Sequence, residues 1–246
     1  MPFMLRLFLL KLTLLAALFP ASVVAQAQTS FKSLTVDLWP EFDRPSMLVM
    51  YQISLSAQVK LPTELSLRIP ASAGAPNAVA VCQPDGSCFN TPYEQKPPLG
   101  EWSTLVIQAT LPDLRVEYYD PQLIKEGSNR EFEYQWPGDF AVESFKIKVQ
   151  QPPSAREMSL KPGMVSTSVA EDGMTYYNLD VGTVPAGQTV TLQINYQKDN
   201  EDLTFNEMPV EPSEPLGGQN AIGRFSISTA LPFILGALGI TLIAGG

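Results

Sequence analysis

Between residues 28 and 198 the apolar and polar positions follow a period of two rather than a helical one. Leu34–Leu38, Met47–Ala57, Glu64–Pro70, Asn77–Gln83, Ser103–Leu111, Leu114–Asp120, Arg130–Trp136, Ser144–Gln151 and Thr189–Gln197 alternate or run apolar, rich in β-branched and aromatic residues. Pro, Gly, Asn and Asp separate them, which predicts strand after strand. No segment keeps apolar residues at i, i+3, i+4 and i+7 over three turns. The predicted fold class is therefore all-β, an antiparallel β-sandwich in which each sheet buries one face.

An immunoglobulin-sized sandwich takes about 100 residues. The body accordingly divides into two Ig-like sandwiches, 28–125 and 126–198, with one combined sandwich over 28–198 as the alternative. A weak internal echo supports the division. Trp39-Pro40-Glu41-Phe42-Asp43 precedes the strand from Met47, and Trp136-Pro137-Gly138-Asp139-Phe140 precedes the strand from Val142. Each reads as a Trp-Pro turn leading into a long strand. Further on, Tyr176–Asp180, the turn Val184–Gln188 and the alternating Val190, Leu192, Ile194 and Tyr196 read as a closing hairpin. It resembles the last hairpin of many bacterial Ig-like domains.

The two ends differ from the body. Residues 1–27 read as a secretory signal. Arg6 and Lys11 precede the apolar run Leu12–Phe19, Pro20 ends it, and Ala25-Gln26-Ala27 is a cleavage site, with Val23-Val24-Ala25 as a second candidate. Residues 199–224 read as an acidic stalk. Over 199–216 there are six acidic residues and no basic one, and Pro209, Pro212 and Pro215 favour extended polyproline II. Residues 225–246 carry no charge and read as a transmembrane helix, with Gly236, Gly239 and Ala244 suited to close helix packing. No Lys or Arg follows to hold a cytoplasmic side. Three readings stay open here: a tail missing from the sequence, an end within the membrane, or a GPI-type processing signal after Gly217-Gly218. Each places the body outside the cytoplasm, and the expected location is the cell membrane, on a single-pass anchor.

Composition narrows the chemistry. The chain holds 16 basic and 25 acidic residues, net −9, which argues against nucleic acid as a partner. Cleavage removes two of the basic residues and none of the acidic ones. The absence of histidine excludes Ser-His-Asp and Cys-His catalysis and His-ligated metals, and no cofactor or metal motif appears. The remaining catalytic candidates are carboxylates: Asp37, Glu41 and Asp43, then Glu117 and Asp120, then Glu131 and Glu133. A pair some 5–10 Å apart suffices for glycoside hydrolysis, but nothing in the spacing pairs any two. No enzyme is expected. The aromatics Trp39, Trp102, Trp136 and Phe42, with Tyr118 and Tyr119, are candidates for stacking on sugar rings or anchoring a protein. The competing reading is that each Trp plugs the end of a core.

Cys82 and Cys88 flank Gln83-Pro84-Asp85-Gly86-Ser87. Pro-Asp-Gly suits a type I turn with Gly86 left-handed, so Gln83 faces Ser87 and Cys82 faces Cys88. Opposed Cα atoms lie within disulfide range, and export supplies an oxidising compartment. A structural disulfide follows.

The exported part resembles a group of uncharacterised bacterial membrane-anchored proteins. The resemblance rests on LTVDLWPEFDRPSMLVMYQ, RIPASAGAPNAVAV, FEYQWPGDFAVESFKIKVQQP and YYNLDVGTVPAGQTVTLQINYQK and spans roughly residues 30–245. It implies a signal peptide, a β-rich ectodomain, a Pro-rich stalk and one membrane helix, with some relatives continuing into a short cytoplasmic tail. No activity attaches to that group. The expected function is a non-catalytic interaction or scaffolding module recognising an extracytoplasmic protein or glycan. An accessory subunit of a membrane complex and a carbohydrate-binding module are the alternatives, and a carboxylate hydrolase ranks last.

Overall fold

The structure is a computed structural model that describes residues 29–163 and 165–207. The expected signal peptide, the rest of the expected stalk beyond Glu207 and the apolar segment 225–246 lie outside the described residues. Among the described residues fifteen strands form three sheets. The largest has eight strands. In spatial order they are β13 (Ser166–Val169), β14 (Thr175–Val184), β11 (Ala141–Gln150), β1 (Ser30–Pro40), β2 (Met47–Leu55), β8 (Asp113–Asp120), β4 (Ala78–Cys82) and β5 (Cys88–Asn90). A four-stranded sheet runs β12 (Arg156–Lys161), β15 (Val190–Gln197), β10 (Asn129–Trp136) and β9 (Ile124–Glu126). A three-stranded sheet runs β3 (Thr63–Pro70), β7 (Trp102–Ala109) and β6 (Tyr93–Gln95). The one described α-helix, α1, is the single turn Thr204–Glu207.

All the strands predicted from alternation form. The all-β class holds, but the sheets are not purely antiparallel. β1 and β11 pair in parallel, Val36 opposite Ile147 and Leu38 opposite Val149. The cause is connectivity, because β10 ends in the four-stranded sheet and the chain crosses through Pro137–Phe140 to enter the large sheet beside β1. This pairing also corrects the division into two sandwiches. β1, β2, β4, β5 and β8 come from residues before 125, while β11, β13 and β14 come from residues after it, and they share one sheet. One core joins them. Leu34, Val36, Val49, Tyr51, Val116, Phe145 and Ile147 line the inner face of the large sheet. Leu65, Leu67 and Ile107 from the three-stranded sheet and Phe132, Trp136, Leu192 and Ile194 from the four-stranded sheet close on it. At the centre Tyr134 of β10 donates to the Tyr51 hydroxyl at 3.2 Å, and the Tyr51 and Tyr118 hydroxyls are 3.0 Å apart. Burial pushes the Tyr51 phenol up to about 12 and raises those of Tyr118 and Tyr134 as well, so all three stay neutral.

The closing hairpin expected around Val184–Gln188 does not form. β14 pairs with β11 and β13, and β15 pairs with β10 and β12. The turn is a second crossover between sheets, and it packs on the first. The Gly187 N–H donates to the Gly138 carbonyl at 2.8 Å. Gly138 has φ +81°, and a Cβ there would sit 2.7 Å from the Gln188 carbonyl oxygen. Alternation reports which residues face inward, but two strands that both bury one face can belong to different sheets.

Candidate functional site

The Trp-Pro segment at residue 39 is strand rather than turn. β1 runs through Trp39, opposite Leu48, to Pro40, opposite Met47. Proline has no N–H to extend the ladder, and it suits the end of a strand. The reversal is 41–46, where the Glu41 N–H donates to the Ser46 carbonyl at 3.0 Å and Glu41 itself is left-handed at φ +46°. This places Phe42 against Trp39, ring centroids 4.7 Å apart. Phe205 of α1 packs edge-on to Phe42 at 6.3 Å, and its N–H donates to the Phe42 carbonyl at 2.9 Å. Residues 199–207, the start of the expected stalk, therefore dock on the body, and the described chain ends beside Trp39 and Phe42.

The other predicted aromatics lie elsewhere. Trp136 is 0% exposed, wedged edge-on against Tyr51 and Phe145, so it presents nothing to a ligand. Trp102 stands on the three-stranded sheet with the Arg68 guanidinium 5.7 Å from its ring centroid. Arg68 in turn pairs with Asp139 at 2.5 Å. A shallow recess of about 230 Å³ on that sheet is lined by Glu64, Pro92, Tyr93, Glu94, Val106 and Gln108. Tyr118 belongs to the core. Tyr119 faces outward, donates to Asp43 at 2.8 Å and carries Arg44 over its ring at 4.0 Å.

Among the described residues no sheet lies over the outer face of the eight-stranded sheet, yet several of its side chains are buried. Asp37, Leu48, Glu117 and Gln150 all stand on it and are buried. Asp37 accepts from Gln52 Nε2 at 2.7 Å and has Lys148 Nζ at 3.7 Å. Burial raises its pKa, and Lys148 and Gln52 only partly offset this. Burial likewise raises the pKa of Glu117, with Arg115 opposing, and of Asp120, whose carboxylate accepts from the Gln122 N–H. A carboxyl whose folded pKa lies above its unfolded value costs stability once it ionises, and the cost disappears on acidification. Asp37→Asn is therefore expected to keep or gain stability at pH 7 in a urea titration. A loss beyond about 1 kcal/mol would show that the charge, rather than the shape, holds Gln52 and Lys148.

Glu41 has the opposite fate. Its carboxylate is 0% exposed and sits among three cations. Lys125 Nζ is 2.5 Å from Oε1, Arg130 Nε 3.5 Å from Oε1 and Lys198 Nζ 3.3 Å from Oε2, while Tyr196 donates to Oε2 at 3.0 Å. Burial works against ionisation, but Lys125 and Lys198 outweigh it and hold the Glu41 carboxyl below its usual range. Arg130 also donates to Glu201 at 2.7 Å and to the Gly127 carbonyl at 2.7 Å, and Lys198 donates to the Asp202 carbonyl. The Thr204 N–H bonds the Glu41 carbonyl at 2.9 Å. This knot ties the 41–46 reversal, β9, β10, β15 and the exit segment together. Its carboxylate is fully engaged, which suits cohesion rather than proton transfer.

The sequence reading missed Lys125, Arg130 and Lys198, although a signal existed. Arg130 is in phase with Phe132, Tyr134 and Trp136 on the buried side of β10, and Lys198 is in phase with Leu192, Ile194 and Tyr196. A cation at an inward position requires a buried counter-charge, and Glu41 supplies it. Glu131 and Glu133 line the solvent side of β10, as alternation implies. Among the described residues no group of three or more Cys, Asp or Glu side chains is placed to hold a metal ion, and no helix is long and apolar enough to cross a membrane.

The cysteine prediction holds. Cys82 pairs with Cys88 across β4 and β5 and is bonded to it, Gly86 is left-handed at φ +88°, and the Gln83 N–H meets the Ser87 carbonyl at 2.8 Å. Closing so short a loop is worth roughly 2 kcal/mol on the chain-entropy estimate. Cys82→Ser with Cys88→Ser is expected to lower the unfolding free energy by about that amount. An unchanged denaturation midpoint would place the staple outside the cooperative unit.

No protein-family model matches the chain, and no curated protein does either. Solved structures that resemble it include a putative protease from Parabacteroides distasonis, 12% identical with TM-score 0.40, covering 70% of this chain and 41% of that one. An M1 zinc metallopeptidase from Deinococcus radiodurans is 14% identical with TM-score 0.41, covering 70% and 43%. Native yeast LTA4 hydrolase is 10% identical with TM-score 0.40, covering 74% and 32%. This chain spans less than half the length of each. Likenesses this distant carry no argument about fold or activity.

Proposed function

We propose that this chain is an exported, single-pass membrane-anchored protein whose β-sandwich body works outside the cytoplasm as a non-catalytic interaction module. One observation carries the reading. Trp39 and Phe42 meet at the rim of a sheet face that no other sheet covers among the described residues, where the described chain ends. The Glu41 knot fixes that exit, so an anchor beyond it would hold the face at a set attitude to the membrane. The signal-like residues 1–27, the acidic 199–224 and the uncharged 225–246 support the anchoring. The Asp37 and Glu41 carboxylates are engaged in ion pairs and hydrogen bonds, which supports binding over catalysis.

The test is made in cells. A photoreactive residue at Gln52, on the outer face, is compared with one at Glu131, on the far side of the four-stranded sheet. Crosslinks at Gln52 and none at Glu131, together with digestion of the body by protease added outside the cytoplasmic membrane, are expected. Crosslinks from neither position, or a body protected from external protease, would overturn the reading.

A further inference from the structure

The sheets end in edge strands that differ in how well they are closed. β12, β9, β3 and β6 each carry Lys, Arg or Glu, and charges on an edge resist further pairing. The β3 edge also gives its Arg68 N–H to Asp139 at 2.7 Å. β5 has no charge but is only 3 residues long. β13 has neither defence. Ser166–Val169 is uncharged, free of Pro and exposed at every position, Val169 to 72%. Among the described residues no strand pairs with its outer side.

Register fixes which backbone groups of β13 are open. The Ala170 N–H donates to the Met174 carbonyl at 3.0 Å, and the ladder continues with Ser168 opposite Tyr176 and Ser166 opposite Asn178. In an antiparallel ladder alternate residues bond the neighbour, and those between turn their N–H and C=O away. Val165, Thr167 and Val169 therefore aim theirs at the open edge. The segment Val165-Ser166-Thr167-Ser168-Val169 reads the same in both directions. An antiparallel mate centred on Thr167 sets Thr167 against Thr167 and Val165 against Val169. These are the residues whose groups face out, so each such pair exchanges two backbone bonds. A slip of one residue would set outward groups against inward-turned ones.

The side chains suit the same register. Directly opposed residues share a face, so the exposed Val169 comes beside the partner's Val165, a position that packs against the core. Two threonines meet on the axis, a pair that bonds across strands. Glu171 and Asp172 follow Val169, while Lys161 precedes the strand. The antiparallel direction brings the acidic end of each copy towards the basic end of the other and keeps the acids apart.

We infer that β13 pairs with β13 of a second copy of this chain, about a two-fold axis at Thr167, and joins the two large sheets into one. The contact is isologous, so it closes the edge on both copies at once. Strands this short bury little area, which makes the dimer weak and concentration-dependent. The inference goes beyond the interaction-module reading, which concerns the flat of the sheet rather than this edge.

The test uses the full chain in mild detergent. Thr167→Cys sets two Cα atoms about 5.5 Å apart across the axis, inside disulfide range. Ser168→Cys sets them two residues out of register, about 8 Å apart and outside it. Cys82 and Cys88 are bonded to each other and do not compete. Mild oxidation is expected to give a reducible dimer from Thr167→Cys and far less from Ser168→Cys. In sedimentation over a concentration series, Thr167→Lys, which puts like charges on the axis, should weaken the dimer about tenfold or more. Thr167→Pro, which deletes an N–H that the β13–β14 ladder does not use, should weaken it as well. Both should melt within a few degrees of the parent. No dimer from Thr167→Cys, equal yields from the two cysteines, or sedimentation unchanged in both the Lys and the Pro variant would overturn the inference. A disulfide from Thr167→Cys to a different protein, formed by oxidation before extraction, would overturn it too. None of these outcomes bears on crosslinking from Gln52, so the interaction-module reading stands or falls separately.

Discussion

Glu41→Gln is expected to remove about 3–5 kcal/mol of stability, the usual loss when one partner of a buried ion pair is deleted. The substitution is nearly isosteric, so packing is kept and only charge is lost. Lys198 and Arg130, 1% and 2% exposed, would then be buried cations without their central anion. Arg130 and Lys125 retain Glu201, but that side chain is 70% exposed and screened by water. A typical domain has only about 5–15 kcal/mol in total, so the midpoint in a thermal melt should fall by roughly 10 °C. The pH dependence has a definite sign. The folded pKa of Glu41 lies below its unfolded value, so its contribution is present above the unfolded pKa and is lost as pH falls through the folded one. Wild-type stability should decline on acidification below about pH 4 more steeply than that of the variant. Amide exchange at Thr204 and Phe205 should accelerate in the variant, because the exit segment hangs on the same turn. A variant within 1 kcal/mol of the parent would mean that the cations find other partners at little cost.

Gly138→Ala is expected to cost about 3 kcal/mol or more, from two sources. A left-handed backbone is worth about 1–2 kcal/mol to a residue with a Cβ. The new methyl would also meet Gln188 backbone atoms at 2.7, 2.8 and 2.9 Å, and backbone cannot swing aside as a side chain can. The two sheet crossovers would have to separate, breaking the bond from Gly187 to Gly138 and adding an overpacking term of about 1–3 kcal/mol. Gly182 and Gly187 provide the control. Both are left-handed, with φ +79° and +84°, but neither has an atom within 4 Å of a built Cβ. Their alanine variants should lose only about 1 kcal/mol each, from backbone conformation alone. Equal losses at all three positions in guanidinium titrations would show that the contact between crossovers is unimportant.

The readings that succeeded are local ones. Val190, Leu192, Ile194 and Tyr196 face inward because a strand's side chains alternate, whatever sheet it joins. The Cys82–Cys88 bond follows from a turn of fixed geometry within seven residues. The all-β class follows from the same alternation repeated along the body. Trp39 at the end of β1 and Phe42 on the reversal that follows are brought together, while Trp136, alike in its sequence surroundings, is enclosed. That difference lies in what packs on each strand, and a single strand carries no record of its partner.

Sheet membership, by contrast, depends on which of many compatible partners gives the best joint packing. Alternation leaves β14 and β15 free to be a hairpin, but β14 pairs with β11 and β15 with β10 in different sheets, and the crossovers between those sheets meet at Gly138 and Gly187. The parallel pairing of β1 with β11 arises from the same crossing, and with it the single core spanning both halves of the body. The Glu41 knot was half legible. Arg130 and Lys198 sit in phase with core residues, so the chain states that two cations are buried. Their common anion lies about 90 to 160 residues away in sequence, and bringing it to them is a property of the assembled sheets. Local patterning thus decides what each segment becomes, because propensity and alternation act over a few residues. Partner choice, and therefore the outer face and the exit of the chain, is settled by long-range packing.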